Sequence, residues 1–587
     1  MLFPQKVIGL IGKKSSLTFY ADKKIEVEVV GCPSNLKPLT SRLQAQGKIE
    51  LLFETVGLLY QYQVIKLRLT DLETDKKVMV EVQARVFGER EFFVTLVISS
   101  NFHYGWNPEP TAQYFRKGDD ELVLYKDENM GNDAFIHALK LEPIFHKYNT
   151  PITWLIDDIV ANKAVKQLKQ WHWQFGDDYG LLPRSYFYHN YRNYNTETSI
   201  EQTTEIISVL RDTICDLFTE ENFPYYPRIL GVDQWVGSVG TNFIKAAEKL
   251  ELEGVWGIGY DHLACDTSMF HRGTPWEAYK PKENNFRVPG IDGKVWLFQW
   301  TTRDILNTSY FTPNGATIFS TDADDIRVNN IWKYQNDYYA RILSEYKKNM
   351  THNDFFMFLV HQEDHDSHIR TSNQILETFL DQIHADNIFV TLDEAVSWLN
   401  LKYLPDEHPY QIIEMNDPLS CHQELKREAE QGLLKKEFAT HPQWGVRVNP
   451  THIAYYGVDA LWIGRKPENV PVILYDYAHS EKYPFNETGE FPMETLPQIT
   501  SVRESWKKIK NGRQFKLIFY SDREFENLPW LIWYAPIKKK SGRFQSHSKE
   551  QGESLAYQTA TMLIVIIKKV VVGKNEFIFT FSGSENK

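Results

Sequence analysis

Between residues 92 and 392 short runs of mostly apolar residues recur, and the stretches between them carry apolar residues at helical spacing. The runs are Phe92 to Ser99, Ile152 to Ile156, Ser185 to His189, Arg228 to Gly231, Val255 to Tyr260, Val295 to Trp300, Phe355 to Val360 and Ile388 to Leu392. Runs this short suit strands buried on both faces. Ile207, Leu210, Ile214 and Leu217 make one helical stripe between them, and Phe243, Ile244, Ala247 and Leu250 another. Such alternation predicts successive βα units around a mostly parallel sheet. Seven or eight strands suit a closed or nearly closed barrel better than an open doubly wound sheet. No Gly-rich phosphate loop follows any of them. The expected fold class is therefore α/β, a (β/α)7-8 barrel over residues 92–404.

The barrel has β-type flanks. Ile25 to Val30, Val64 to Leu69 and Val78 to Val86 alternate apolar with polar residues, predicting a β-sandwich-like domain over residues 1–91. Residues 405–587 are expected to form a β-rich carboxyl-terminal region. It includes a charged helical piece at Gln423 to Glu437, strands at Val472 to Tyr475 and Phe515 to Tyr520, and a hairpin of Met562 to Ile567 with Phe577 to Phe581 around Gly573-Lys-Asn575.

A net charge of -12 over 587 residues argues against a general nucleic-acid binder, which needs a basic face. Lys538 to Lys540, the one tight basic run, leads into a polar segment and reads as a solvated loop. The four cysteines, Cys32, Cys215, Cys265 and Cys421, lack paired spacing and are expected to be buried thiols. No secretory signal is visible at Met1-Leu-Phe-Pro-Gln-Lys, so a cytoplasmic location is expected. Met562 to Ile567 is too short to span a bilayer, so no membrane association is expected. The aromatic content of 14%, with 16 Trp and 31 Tyr, weakly favours a sugar ligand, because rings stack on sugar faces as well as filling cores.

Chemistry gathers where the apolar runs end, and in a βα barrel those ends share one rim. The seventh run opens directly into His361, Glu363, Asp364, His365, Asp366 and His368 ahead of a helix whose capping box is Thr371 with Gln374. The other ends supply His103 and Trp106, Asp157 and Asp158, His189, Asp233 and Trp235, Asp261 and His262 with Asp266, and Asp304. Each has a plainer reading. Asp157 and Asp158 also suit a helix cap, Trp106 and Trp235 suit a core, and His189 suits a satisfied structural role. Histidine and carboxylate together at a strand mouth can instead exchange protons or bind a metal near neutral pH.

Thr150-Pro-Ile-Thr-Trp-Leu-Ile-Asp157, after a helix ending Phe145-His-Lys-Tyr148, resembles the helix and Pro-x-Thr-aromatic strand of the polysaccharide deacetylases. Phe358-Leu-Val-His361 resembles their late strand ending in a catalytic histidine, and Ile388 to Leu399 their closing strand and helix. The resemblance is to the glycoside hydrolase/deacetylase barrel superfamily over about residues 93 to 400. It implies a carbohydrate-active hydrolase and a divalent metal, zinc or similar. The family's Thr-Phe-Asp-Asp motif is absent, the first strand ending in Asn101-Phe-His103 with Lys126-Asp127-Glu128 as a displaced equivalent, and the third strand supplies only His189 where the family has a His-x-x-x-His pair. His361 alone carries over directly.

Three readings follow. In the first, a polysaccharide or amino-sugar deacetylase, His361 is the general acid, Asp364 or Glu363 orients it, and a metal on His103, His365 and Asp261 activates water. In this reading Trp106, Trp235, His262 and Asp304 bind an oligo- or polysaccharide substrate. The second is a glycoside hydrolase using two of Asp261, Asp304, Glu363 and Asp364 without a metal. The third is a barrel that binds a glycan or protein without turnover. None requires a nucleotide or organic cofactor, and the oligomeric state is left open.

Overall fold

The structure is a computed structural model. It describes residues 6–100, 130–183, 199–232, 241–257, 278–282, 285–289, 293–302, 321–323, 326, 336–348, 350, 354–363 and 369–405. In the carboxyl-terminal region it describes 447–448, 452–456, 460–465, 499–510, 512–536, 544–546, 554–558 and 562–582.

Six amino-terminal strands, β1 (Lys6–Leu10), β2 (Lys14–Gly31), β3 (Leu36–Pro38), β4 (Arg42–Thr55), β5 (Leu59–Asp71) and β6 (Lys77–Phe87), form one sheet in the order β1-β6-β5-β2-β4-β3. A sandwich would place two sheets face to face. Here one sheet of long strands buries its own inner face: Leu17, Phe19, Ile25 and Val27 of β2 meet Ile49, Leu51 and Phe53 of β4 in a single core.

The central sheet contains β7 (Glu91–Ser100), β8 (Ile152–Ile156), β9 (Asp178–Leu181), β10 (Ile229–Gly231) and β11 (Gly254–Trp256). After a small hairpin of β12 (Pro281–Lys282) and β13 (Asn285–Pro289) come β14 (Trp296–Phe298), β15 (Phe355–Glu363) and β16 (Ile388–Phe389). The order is β14-β11-β10-β9-β8-β7-β15, every pairing is parallel, and β16 lies beside β7. No ladder joins β14 to β15. Where a closed or nearly closed barrel was expected, the sheet is a curled, open half-barrel.

The helices that pack on the sheet's outer face are α1 (Met130–His146), α2 (Asp158–Phe175), α3 (Ile200–Glu220), α4 (Thr241–Lys249), α5 (Tyr338–Lys348) and α6 (Ile369–Ile383). α7 (Leu392–Lys402) packs its Val396, Trp398 and Leu399 with the inward residues instead. Strand alternation separates two cores. Phe92, Val94, Leu96 and Ile98 of β7, with Phe356, Phe358 and Val360 of β15, face the outer helices. Phe93 and Val97, with Phe355, Met357 and Leu359, face the interior. Period two then turns Ser99 and His361 inward.

Several boundaries differ from expectation. The third strand is Asp178–Leu181, earlier than Ser185 to His189, which lies outside the described residues. Polar Asp178 at its start hid a four-residue strand. β15 continues to Glu363, so His361 sits within the strand and not in the loop after it. α6 begins at Ile369, which places Thr371 inside the helix and not at its cap. Among the described residues, the carboxyl-terminal region has one sheet of six strands and one of four. Met562–Val570 pairs in the first and Gly573–Ser582 in the second, so the expected hairpin is a switch between sheets. Gln423 to Glu437 and Val472 to Tyr475 lie outside the described residues. Among the described residues, no helix is long and apolar enough to cross a membrane.

Candidate active site

The open edge between β14 and β15 is crossed by threonines. Thr302 donates its backbone N–H to the Leu359 carbonyl (2.9 Å), and its Oγ1 accepts from the Leu359 N–H (2.7 Å). Thr321 N–H donates to the Thr302 carbonyl (2.8 Å), and the hydroxyls of Thr301 and Thr321 are 2.5 Å apart. Tyr339 Oη donates to the Thr321 carbonyl (2.7 Å), tying the same residue to α5. These bonds satisfy backbone groups that a sheet edge would leave open. They also fix the position of Asp322, the next residue.

Asp322 Oδ2 lies 2.8 Å from His361 Nδ1, and Ser99 Oγ lies 2.9 Å from His361 Nε2. The indole N–H of Trp300 also points at His361 Nδ1. The Trp300 and Trp256 rings flank the imidazole, with centroids 4.8 and 4.9 Å from it, and Trp256 Nε1 donates to the Trp300 carbonyl (3.1 Å). His361 is 0% exposed, Ser99 3% and Asp322 8%. The cluster lies toward the carboxyl end of the parallel strands, above an interior layer of Leu359 and Val97. That is the end of the sheet where βα barrels carry their chemistry. A carboxylate on one ring nitrogen orients the imidazole and favours the tautomer in which that nitrogen donates, which is what proton transfer through the other nitrogen requires.

Of the residues singled out from sequence, His361 is described in full and Glu363 by its backbone, paired with Ser99. Asp157 is the N-cap of α2, accepting from Val160 N–H at 2.9 Å, as the plainer reading had it. His103, Trp106, His189, Asp233, Trp235, Asp261, His262, Asp266, Asp304, Asp364 and His365 lie outside the described residues. Ser99 and Trp300 closed apolar runs and Trp256 lay second in its own, and all three could have been read as inward-facing from the period of their strands. Asp322 carried no signal, because no apolar run precedes it.

Among the described residues, no three His, Cys, Asp or Glu side chains gather as metal ligands. Both ring nitrogens of His361 face protein groups, so the described site does not offer this imidazole to a metal.

A second polar cluster lies at the amino-terminal ends of the strands. Lys6 Nζ is 2.6 Å from Asp178 Oδ2 and 3.7 Å from Glu394 Oε1, and Arg85 Nη1 is 2.9 Å from Glu394 Oε2. Burial works against the charge of Lys6, but Asp178 and Glu394 outweigh it and hold the ammonium well above its usual range. Burial likewise opposes the Asp178 carboxylate, which Lys6 and His172 nevertheless hold well below its usual range. Thr391 and Glu394 form the capping box of α7, and Thr391 Oγ1 also donates to Asp178 (2.5 Å). This network joins the amino-terminal sheet to the base of the half-barrel, the face associated with stability.

No family model and no curated protein matches this chain. Among solved structures, the Puue allantoinase is 11% identical and covers 54% of this chain and 93% of its own, with a TM-score of 0.33. A provisionally assigned polysaccharide deacetylase from Mycobacterium smegmatis is 10% identical, covering 56% and 96%, with a TM-score of 0.31. A protein of unknown function from Porphyromonas gingivalis W83 is 19% identical over 17% of this chain, with a TM-score of 0.12; this chain spans 54% of that protein's length. With scores of this size, none of the three decides this chain's chemistry.

Proposed function

We propose that this protein is a carbohydrate-active hydrolase that removes small acyl groups from an acylated oligo- or polysaccharide. The observation that carries the reading is the buried His361, held by Asp322 at the carboxyl-end layer of a parallel half-barrel. Asp322 engages its Nδ1 side, and Nε2, which faces the Ser99 hydroxyl, is the nitrogen through which a proton can pass. In this role His361 protonates the departing sugar oxygen or nitrogen as the acyl bond breaks, which contributes on the order of 100-fold or more in rate. Asp322 takes the orienting part, being the described carboxylate in contact with the ring.

The test is mass spectrometry of acetylated oligosaccharides after incubation with the protein, with and without chelator. Loss of acetyl groups at unchanged chain length supports the reading, and chelator sensitivity would add a metal supplied by residues such as His103, Asp261 and His365. Shortened chains would transfer the site to glycosidic bonds, with Asp261, Asp304, Glu363 and Asp364 as the candidate carboxylates. No change in any substrate would remove the enzyme reading and leave a barrel that binds a glycan or a protein.

A further inference from the structure

Three side chains from three parts of the chain meet in succession: the Ser99 hydroxyl on β7, the His361 imidazole on β15 and the Asp322 carboxylate beside the threonine-bridged edge. The separations are 2.9 Å from Oγ to Nε2 and 2.8 Å from Nδ1 to Oδ2. Hydroxyl, imidazole and carboxylate in that order are the parts of an activated oxygen nucleophile. A buried serine can bond to a histidine merely to satisfy its hydroxyl. A carboxylate on the far nitrogen adds what satisfaction alone does not need, since it leaves the lone pair of the near nitrogen facing the hydroxyl.

We propose that Ser99 is the nucleophile of this site and that acyl transfer runs through a covalent acyl-serine. The proposal rests on reading the site as an acyl hydrolase. Ser99 Oγ attacks the acyl carbonyl carbon, and its proton passes to His361 Nε2. The bond from that carbon to the sugar oxygen or nitrogen breaks, and the leaving atom takes the proton from Nε2. Water then attacks the acyl-serine, giving its proton to Nε2, which returns it to Oγ as the acid departs. No oxidant or other co-reactant is consumed.

Trp300 supplies an internal control. Its indole N–H and the Asp322 carboxylate both face Nδ1, and one nitrogen cannot accept from the first while donating to the second. With Nδ1–H on Asp322, Nε2 can take the Ser99 proton. With Nδ1 accepting from Trp300, Nε2 carries the hydrogen and Ser99 is idle. Removing the indole N–H in W300F should therefore favour the active tautomer.

The experiment treats the full-length protein with methanesulfonyl fluoride, a small serine-reactive probe, and maps the adduct by peptide mass spectrometry. The proposal expects one methanesulfonyl group on Ser99, none in S99A, labelling slower by about 100-fold in H361Q, and faster labelling in W300F. If S99A does not fold, S99C serves in its place. Its alkylation by iodoacetamide should depend on His361, falling in S99C/H361Q; equal rates in the two would overturn the proposal. Unlabelled Ser99 in a protein that still removes acetyl groups from oligosaccharides overturns the serine route and leaves the deacylation reading standing. Labelled Ser99 without acetyl loss supports the nucleophile and overturns the substrate. Neither labelling nor acetyl loss overturns both.

Discussion

Asp322 and His361 stand 2.8 Å apart at Oδ2 and Nδ1, although 39 residues separate them in sequence. The carboxylate reaches the ring because the neighbouring Thr321 is bound to both Thr302 and Tyr339. If Asp322 positions the imidazole, D322N should lower acetyl release by about 100-fold, the scale of general acid-base assistance. KM should stay near that of the parent, and the pH profile of kcat should change shape. A variant with unchanged rate and pH profile would mean that Asp322 only fills space.

Lys6 and Asp178 are the counterpart at the base, with side chains 8% and 3% exposed. Removing one member of a buried pair leaves a charge without compensation, so K6M should cost about 3–5 kcal/mol in urea unfolding. The depressed Asp178 carboxyl adds stability that is present above the ordinary carboxylate range and is lost as pH falls below about 4. K6M should flatten that acid limb; an unchanged limb would assign it to other carboxylates.

Asp393 behaves in the opposite sense. Burial pushes it up to about 7, with Asp178 adding to the effect and Arg228, whose Nε is 2.9 Å away, pulling against it. A folded-state value above the unfolded one gives stability that is full below about pH 4 and is lost as pH rises through 7. The slope is at most about 1.4 kcal/mol per pH unit. Thermal melts from pH 5 to 8 should therefore fall more steeply for the parent than for D393N, and parallel curves would show that Asp393 titrates normally.

Gly176 caps α2 with φ +84, and a Cβ there would lie 2.2 Å from Cζ of the Tyr62 ring. G176A should destabilise by about 1–2 kcal/mol from the left-handed backbone alone. The ring contact adds to that. A melting temperature equal to the parent's would show that the amino-terminal sheet can move away from the helix at little cost.

The parallel sheet was legible because its strands are apolar on both faces: Ile152 to Ile156 is recovered residue for residue, and the Ile207, Leu210 and Ile214 stripe is buried in α3. β9 escaped because it begins with a buried aspartate that belongs to the Lys6 network, and side-chain polarity alone cannot reveal a partner 172 residues away. Within the site, His361 was legible as the first ionisable group after Val360. Ser99 was visible only as a strand end, and Asp322 not at all, because its place depends on the threonine contacts across the open edge. Closure of the sheet was over-read for a related reason. Counting strands says nothing about whether the first and last pair.

The most direct measurement is acetate release from acetylated oligosaccharides by the parent protein and by H361Q, the variant first checked for an unchanged melting temperature. The account predicts acetate release at constant chain length by the parent and a loss of about 100-fold or more in H361Q. Equal release by the two proteins, or none from the parent on any acetylated substrate, would contradict it.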